Sequence, residues 1–154
     1  MSSERRFVER FRVLRRVLHR METAQIRSLG ASAISVVFRT PVLLLHTTGR
    51  RSGLERTTPL AFHRDQDGSL LIVGGASGQA RTPDWVANLR TSAAAYVTIR
   101  RDRYEVRVEE LRGDERLEVW ARLATEWPRI DAYQMRARRE VPVFRLVRTV
   151  SEPV

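Results

Sequence analysis

The sequence lacks several residue types and motifs, and each absence excludes a class of protein. None of its 154 residues is cysteine, which excludes disulfide bonds, thiolate metal sites and a cysteine nucleophile. No apolar run approaches the ~20 residues that a membrane-spanning helix needs. The P-loop, the Gly-x-Gly-x-x-Gly dinucleotide motif and the Gly-x-Ser-x-Gly nucleophile elbow are also missing. The three histidines lack the spacing of metal ligands, so we expect no metal site.

Lysine is absent as well, so all 28 basic residues are arginines, and with 18 acidic residues the net charge is +10. This charge favours anionic partners, which include nucleic acids, anionic membranes and phosphorylated small molecules. Few exposed-looking aromatic residues are interleaved with arginines in the body of the chain, and half of the net charge lies in one N-terminal segment, so we do not expect a nucleic-acid partner. The arginine-rich start has no apolar segment of signal-peptide type, and a cytoplasmic location is expected.

Residues 1–29 are predicted to form a separate N-terminal unit, a basic amphipathic helix over residues 4–29. Its large apolar residues follow a 4-3-4-3 spacing that places them on one stripe: Phe7, Phe11, Leu14, Leu18 and Met21. Eight arginines against three glutamates give this segment a charge of +5. Two interpretations remain open. The stripe packs on the body of the protein, or the helix lies on the inner, anionic surface of the membrane as a peripheral anchor.

Residues 30–154 are predicted to form one α+β domain built on a small barrel. Short apolar or alternating runs predict about six strands, at residues 41–47, 56–64, 69–74, 94–101, 103–111 and 141–147. The connections are too short for parallel crossovers, which favours a mostly antiparallel sheet. A short helix is expected at 85–90. A later helix capped by Asp114, and a second helical piece after Pro128, are expected to pack on the barrel; the apolar face of the first comprises Leu117, Trp120, Ala121 and Ala124.

The segment TTGRRSGLERTTPL, residues 47–60, has the composition of an anion-binding hairpin. Gly49 and Gly53 allow a sharp turn, and arginines supply fork-shaped donors that match phosphate or carboxylate oxygens. A solvated turn is the alternative interpretation. A second glycine-rich loop at residues 74–78 would let a planar ring approach the backbone. Together the two loops indicate a ligand with an aromatic head and a polyanionic tail.

Four motifs then occur in one order between about residues 41 and 147. They are the hairpin segment, the glycine-rich loop, PDWVANL at residues 83–89, and YQ…REVPV from Tyr133-Gln134 to residues 139–143. In this order and spacing they resemble the deazaflavin-dependent nitroreductase family. The resemblance implies a split β-barrel that binds coenzyme F420, a deazaflavin whose tail carries a phosphate and linked glutamates. It also implies an enzyme that passes a hydride from the reduced cofactor, F420H2, to an electron-poor acceptor such as a quinone, an enone or a nitro compound.

The resemblance assigns the cofactor site to residues of the first three motifs. The anionic tail would be bound at the hairpin by Arg50, Arg51, Ser52, Gly53 and Arg56. The cofactor would also contact the following strand and the glycine-rich loop through Thr57, Pro59, Leu60, Gly75, Ala76, Ser77 and Gly78. In the third motif, Asn88 would bind the cofactor or fix its loop, and Trp85 would lie beneath that loop.

The acceptor side is implied to involve Trp127, Ile130 and Tyr133, with Tyr133 as the proton donor or substrate hydrogen-bond partner. Several positions depart from the pattern of the well-studied nitroreductase of the family. On the acceptor side, Gly75 replaces a serine beside the ring, and Ile130 replaces an aromatic residue. Cofactor binding is therefore the firmer implication, and the choice of acceptor is left open. The alternative is a split-barrel protein that binds a lipid, an acyl chain or F420 without catalysis.

Overall fold

The computed structural model describes residues 41–75 and 80–150. The predicted helix over 4–29 lies outside these ranges, as do Ala76, Ser77 and Gly78. The strands are β1 (Val42–Thr48), β2 (Glu55–Ala61), β3 (His63–Arg64), β4 (Leu70–Val73), β5 (Ala94–Ile99), β6 (Asp102–Glu110) and β7 (Val143–Arg148). The helices are α1 (Asp84–Arg90), α2 (Gly113–Glu126) and α3 (Arg129–Ala137).

All seven of these strands form one antiparallel sheet in the order β2-β1-β5-β6-β7-β4-β3. Its two edge strands, β2 and β3, are consecutive in the chain and are separated only by Phe62. The sheet therefore has to curl until its edges nearly meet. This confirms the predicted antiparallel split barrel of the α+β class. The strand expected at 56–64 is bent at Phe62, and it pairs with β1 before the bend and with β4 after it.

The inside of the barrel holds the larger of the two hydrophobic clusters formed by the described residues. Alternate residues of the strands point inward, such as Leu43 and Leu45 of β1 and Phe144 and Leu146 of β7. α1 completes this core with Trp85, Val86 and Leu89. The helix expected at 85–90 is thus confirmed, and it packs against the barrel core.

α2 and α3 cover the outside of the barrel at β4 and β7. Their apolar residues form the second cluster with those strands and with the residue that follows β6; it comprises Leu71, Leu111, Val119, Leu123, Ile130 and Val143. None of the helices in the described part of the chain has the length and apolar character needed to span a bilayer.

The predicted buried face of α2 was wrong for Leu117 and Ala121, which are both exposed. Leu117 is 62% exposed, whereas Arg116 is only 7% exposed. The Arg116 guanidinium lies over the Trp120 ring and donates a hydrogen bond of 2.6 Å to the carbonyl of Val141. A buried arginine that satisfies a loop carbonyl follows from tertiary packing, and the apolar pattern of the helix does not reveal it. Asp114 lies in the first turn, after a helix start at Gly113.

Candidate functional site

The turn between β1 and β2 is a tightly bonded hairpin. The Gly49 and Gly53 amides donate to the carbonyls of Leu54 and Gly49, each at 2.8 Å, and the Leu54 amide donates to Ser52 Oγ at 3.2 Å. Gly53 has a φ of +68°, which favours glycine. A Cβ at Gly49 would lie 2.6 Å from Ser52 Oγ and 3.2 Å from the Leu54 carbonyl oxygen, so a side chain there would push the Ser52 hydroxyl away from its place in the turn. Both glycines are explained by the turn, and the Gly53 amide is used within it.

Asn88 of α1 joins the hairpin to the helix. Its side chain is buried, and its Oδ1 accepts hydrogen bonds from the Arg50 amide at 3.1 Å and from Arg50 Nη1 at 3.2 Å. Its Nδ2 donates to Thr47 Oγ1 at 3.3 Å. Of the two roles predicted for Asn88, fixing the cofactor loop is the one that these contacts support.

The three arginines predicted to bind the anionic tail have different surroundings. The Arg50 side chain is only 28% exposed and lies 3.6 Å from the Asp84 carboxylate, which offsets its charge. All three are exposed as whole residues, but among the described residues only Arg50 of the three lies beside a carboxylate. Arg56 Nε would lie 3.6 Å from a Cβ at Gly49, which places its side chain against the hairpin turn. Arg51 and Arg56 therefore offer the more accessible positive charge.

β2 distributes its predicted cofactor residues over two faces. Leu60 packs against the inner core. Thr57 lies on the outer face, where its Oγ1 is 2.9 Å from His46 Nδ1. Pro59 is two residues further along the strand and shares the outer face with Thr57. The structure thus does not bring Thr57 and Pro59 to the face that carries Arg56 and Leu60.

The described start of the glycine-rich loop, Gly74 and Gly75, is fixed by the YQ…REVPV motif. The Gly74 amide donates to the Pro142 carbonyl at 2.8 Å, and Arg139 Nη2 donates to the Gly74 carbonyl at 3.0 Å. A Cβ at Gly74 would lie 2.6 Å from the Pro142 ring, so only glycine fits. Burial, and to a lesser degree the charge of Arg90, lower the pKa of the Arg139 guanidinium.

Gln134 holds the other end of this motif. Its Oε1 accepts from the Val141 amide at 2.9 Å, and its Nε2 donates to the Arg139 carbonyl at 2.5 Å. Together with Arg139 it ties the segment after α3 to the loop after β4. Neither residue was predicted to belong to the site. The motif itself was the available signal, because half-buried amide and guanidinium groups need hydrogen-bond partners.

Tyr133 and Trp127 form an aromatic wall beside Gly75. A Cβ at Gly75 would lie 3.6 Å from Tyr133 Cδ2, and the Tyr133 and Trp127 rings meet edge to face at 6.2 Å. Ile130 is completely buried in the outer cluster. Trp85 is 7% exposed, and its ring centroid is 5.8 Å from that of Phe144. The structure therefore brings Tyr133, Trp127 and Gly75 together, whereas Ile130 and Trp85 lie in the cores.

Comparison with known proteins extends these observations. A family model described as F420H(2)-dependent quinone reductase matches residues 18–148. An F420H(2)-dependent quinone reductase of Mycobacterium tuberculosis is 34% identical over 113 residues, which are 70% of this chain and 74% of that protein. The chain belongs to the F420H(2)-dependent quinone reductase family. The predicted oxidoreductase class and the predicted cofactor, coenzyme F420, are thereby confirmed.

Solved structures agree with the family assignment. The structure of an F420-H2 dependent reductase, FDR-A, superposes with a TM-score of 0.60 at 28% identity and covers 69% of this chain and 93% of that chain. The heme storage protein HutZ of Vibrio cholerae superposes with a TM-score of 0.54 at 13% identity, covering 80% of this chain and 92% of that one. The second likeness concerns the fold alone.

The described residues fit the cofactor of the quinone reductase family in their donor chemistry. The tail of F420 is anionic, and the hairpin presents the exposed guanidinium groups of Arg51 and Arg56 on a rigid turn. The one carboxylate at the hairpin–α1 contact, Asp84, faces Arg50 and Arg81 at 3.6 and 3.2 Å, so its charge is compensated locally. The hairpin therefore retains positive charge for an anionic ligand.

Proposed function

We propose that this chain is an F420H2-dependent reductase whose acceptors are quinones, with the cofactor tail bound at the hairpin and the acceptor bound beside Tyr133. The observation that carries the proposal is the attachment of the hairpin to α1 through Asn88, which leaves Arg51 and Arg56 exposed on a fixed turn. When bound in its reduced form, F420H2, the cofactor would supply a hydride to an electron-poor acceptor and would be oxidised to F420.

Arg51 and Arg56 bind the phosphate and carboxylates of the tail. Each guanidinium donates two parallel hydrogen bonds to such groups, and these charge-assisted bonds are stronger than neutral ones. Arg50 has a different role. Because it bonds to Asn88 and lies against Asp84, it positions the hairpin and contributes little net charge. Ser52 and Gly53 maintain the turn that places the two exposed arginines.

The acceptor lies against the wall formed by Tyr133 and Trp127. Edge-to-face aromatic rings offer a flat quinone a face and an edge to pack on. The Tyr133 hydroxyl donates a hydrogen bond to a carbonyl oxygen of the acceptor. Reduction of a quinone to a hydroquinone takes up one hydride and one proton, and Tyr133 delivers the proton to that oxygen. Enones and nitro compounds remain additional acceptor classes of the same proposal.

The cofactor half of the proposal is tested by titrating the purified protein with oxidised F420 and following the deazaflavin fluorescence. We expect Arg51→Ala and Arg56→Ala each to raise the Kd about tenfold, since each removes roughly 1.4 kcal/mol of charge-assisted binding. Arg101→Ala is the matched control. Arg101 is exposed at the β5–β6 turn, at the end of β1 away from the hairpin. Equal effects of all three variants would refute a tail site at the hairpin.

The acceptor half is tested by oxidation of F420H2 with a naphthoquinone, an enone and a nitroaromatic compound. We expect Tyr133→Phe to lower kcat with the quinone at an unchanged Kd for F420, because the ring stays and only the hydroxyl is lost. Saturable F420 binding without oxidation of F420H2 by any of the three acceptors would refute the reductase activity. It would favour a protein that binds the cofactor without catalysis.

A further inference from the structure

One half of the outer surface of the barrel carries a buried apolar strip. Val42, Leu44 and His46 alternate with Leu43 and Leu45, so they point away from the barrel core. Val42 is 8% exposed and Leu44 is 2% exposed. Residues on the outside of a sheet reach such values only when something packs on them.

The described helices do not account for this burial. α1 packs inside the barrel in the cluster that contains Leu43 and Leu45. α2 and α3 pack on the other half of the outer surface, in the cluster that contains Leu71 and Val143. Across residues 41–75 and 80–150, neither cluster includes Val42 or Leu44.

We propose that the amphipathic segment 4–29 packs its apolar stripe on this outer face of β1, β2 and β5. The segment precedes β1 in the chain, and the intervening residues 30–40 span at most about 40 Å, enough to turn back over the strand. A helix of this length is about 39 Å long, whereas β1 is about 23 Å long, so the stripe covers the whole strip. Its arginines then face solvent.

This arrangement has a consequence for the membrane interpretation of the segment. The stripe of Phe7, Phe11, Leu14, Leu18 and Met21 is occupied by the barrel, so it is not available for insertion among lipid chains. The arginine face stays outside and gives the protein a basic surface. Association with anionic vesicles would then depend on salt and would leave the distance between segment 4–29 and the barrel unchanged.

Because the chain has no cysteine, pairs of spin labels on introduced cysteines test the proposal in the full-length protein. The test pair is Arg16→Cys with Tyr96→Cys. Arg16 lies opposite the stripe, and Tyr96 is 43% exposed on the outer side of β5 at the edge of the strip. The matched control pair is Arg16→Cys with Leu117→Cys, since Leu117 is exposed on α2, on the other half of the outer surface. F420 titration of each labelled protein checks that it is folded.

Pulsed electron–electron double resonance measures the distance between the two spin labels. For the test pair we expect a narrow distance distribution below about 30 Å, because one helix diameter of ~10 Å separates the labelled face from the strip. The control pair is expected to give a longer distance. Leu44→Ser in the test pair should broaden the distribution by weakening the contact. A broad distribution for the unperturbed test pair would overturn the proposal. A short distance that appears only when anionic vesicles are added would also overturn it. So would a short distance that arises between two molecules, detected by mixing protein labelled only at residue 16 with protein labelled only at residue 96.

Discussion

Asn88→Ala is the substitution that examines most directly how the hairpin is held. It removes three hydrogen bonds from a buried position: two accepted from Arg50 and one donated to Thr47. Thr47 is itself buried, so its hydroxyl loses its partner in a place that water does not readily reach. The Arg50 amide loses its acceptor at the same time.

The magnitude follows from the types of these bonds. Two neutral bonds of about 1 kcal/mol each, and one from a partly exposed guanidinium of similar size, lower the free energy of unfolding by about 2–3 kcal/mol. For a protein of this size, that corresponds to a decrease in Tm of about 6–9 °C. The hairpin also loses its attachment to α1. Cofactor binding must then order the released hairpin, which costs free energy. We therefore expect the Kd for F420 to rise about tenfold.

Two further variants separate stability from binding. Asn88→Asp keeps the acceptor oxygen for Arg50, and the Thr47 hydroxyl can turn to donate to the new carboxylate, so a smaller loss of stability is expected. Its negative charge near the hairpin should still weaken F420 binding. Thr91→Ala removes one bond at the end of α1 and should leave the Kd for F420 unchanged. Thermal unfolding measures the stability of the three variants, and fluorescence titration measures their Kd for F420. Unchanged stability and unchanged Kd in Asn88→Ala would refute the reasoning.

Two other predictions concern the glycine-rich loop and acid stability. Gly74→Ala should lower the free energy of unfolding by about 1–3 kcal/mol, because the new Cβ would lie 2.6 Å from the Pro142 ring. Gly75→Ala is the control, since a Cβ there would make only ordinary van der Waals contacts. Equal Tm values for the two variants would contradict this prediction. Hydrogen bonds from Arg90 lower the pKa of Glu110. The pair therefore stabilises the fold fully above the ordinary glutamate pKa of about 4.3 and loses that contribution as the pH falls through the lower folded pKa. Glu110→Gln should flatten the dependence of Tm on pH in that acidic range, and an unchanged slope would count against the pair.

Local patterns predicted much of the fold because they depend on neighbouring residues. The strands follow from apolar alternation, and the hairpin from Gly49 and Gly53, whose roles the turn explains. The bend at Phe62 was not predicted. The residues on both sides of it alternate continuously, and only the need to bring the two sheet edges together divides the strand.

The motifs also located most of the candidate site, but they did not assign its contacts. Arg50, Arg51 and Arg56 are equivalent in the sequence, and the position of Asp84 on a separate helix makes Arg50 different. Thr57 and Pro59 are adjacent to Arg56 and Leu60, yet strand alternation places them on the opposite face. A motif fixes the order of residues, whereas the side of the sheet to which each side chain points depends on register and curvature.

The sequence by itself determined the antiparallel barrel, the absence of cysteine chemistry, the basic hairpin and the family resemblance that indicates F420. Each depends on composition or on residues close together in the chain. Only the tertiary structure decided that Asn88 fixes the hairpin, that Arg139 and Gln134 hold the loop at Gly74, and that Arg116 is buried. These contacts join residues 7 to 65 positions apart. The partners in these hydrogen bonds depend on which polar groups folding brings close together and removes from water.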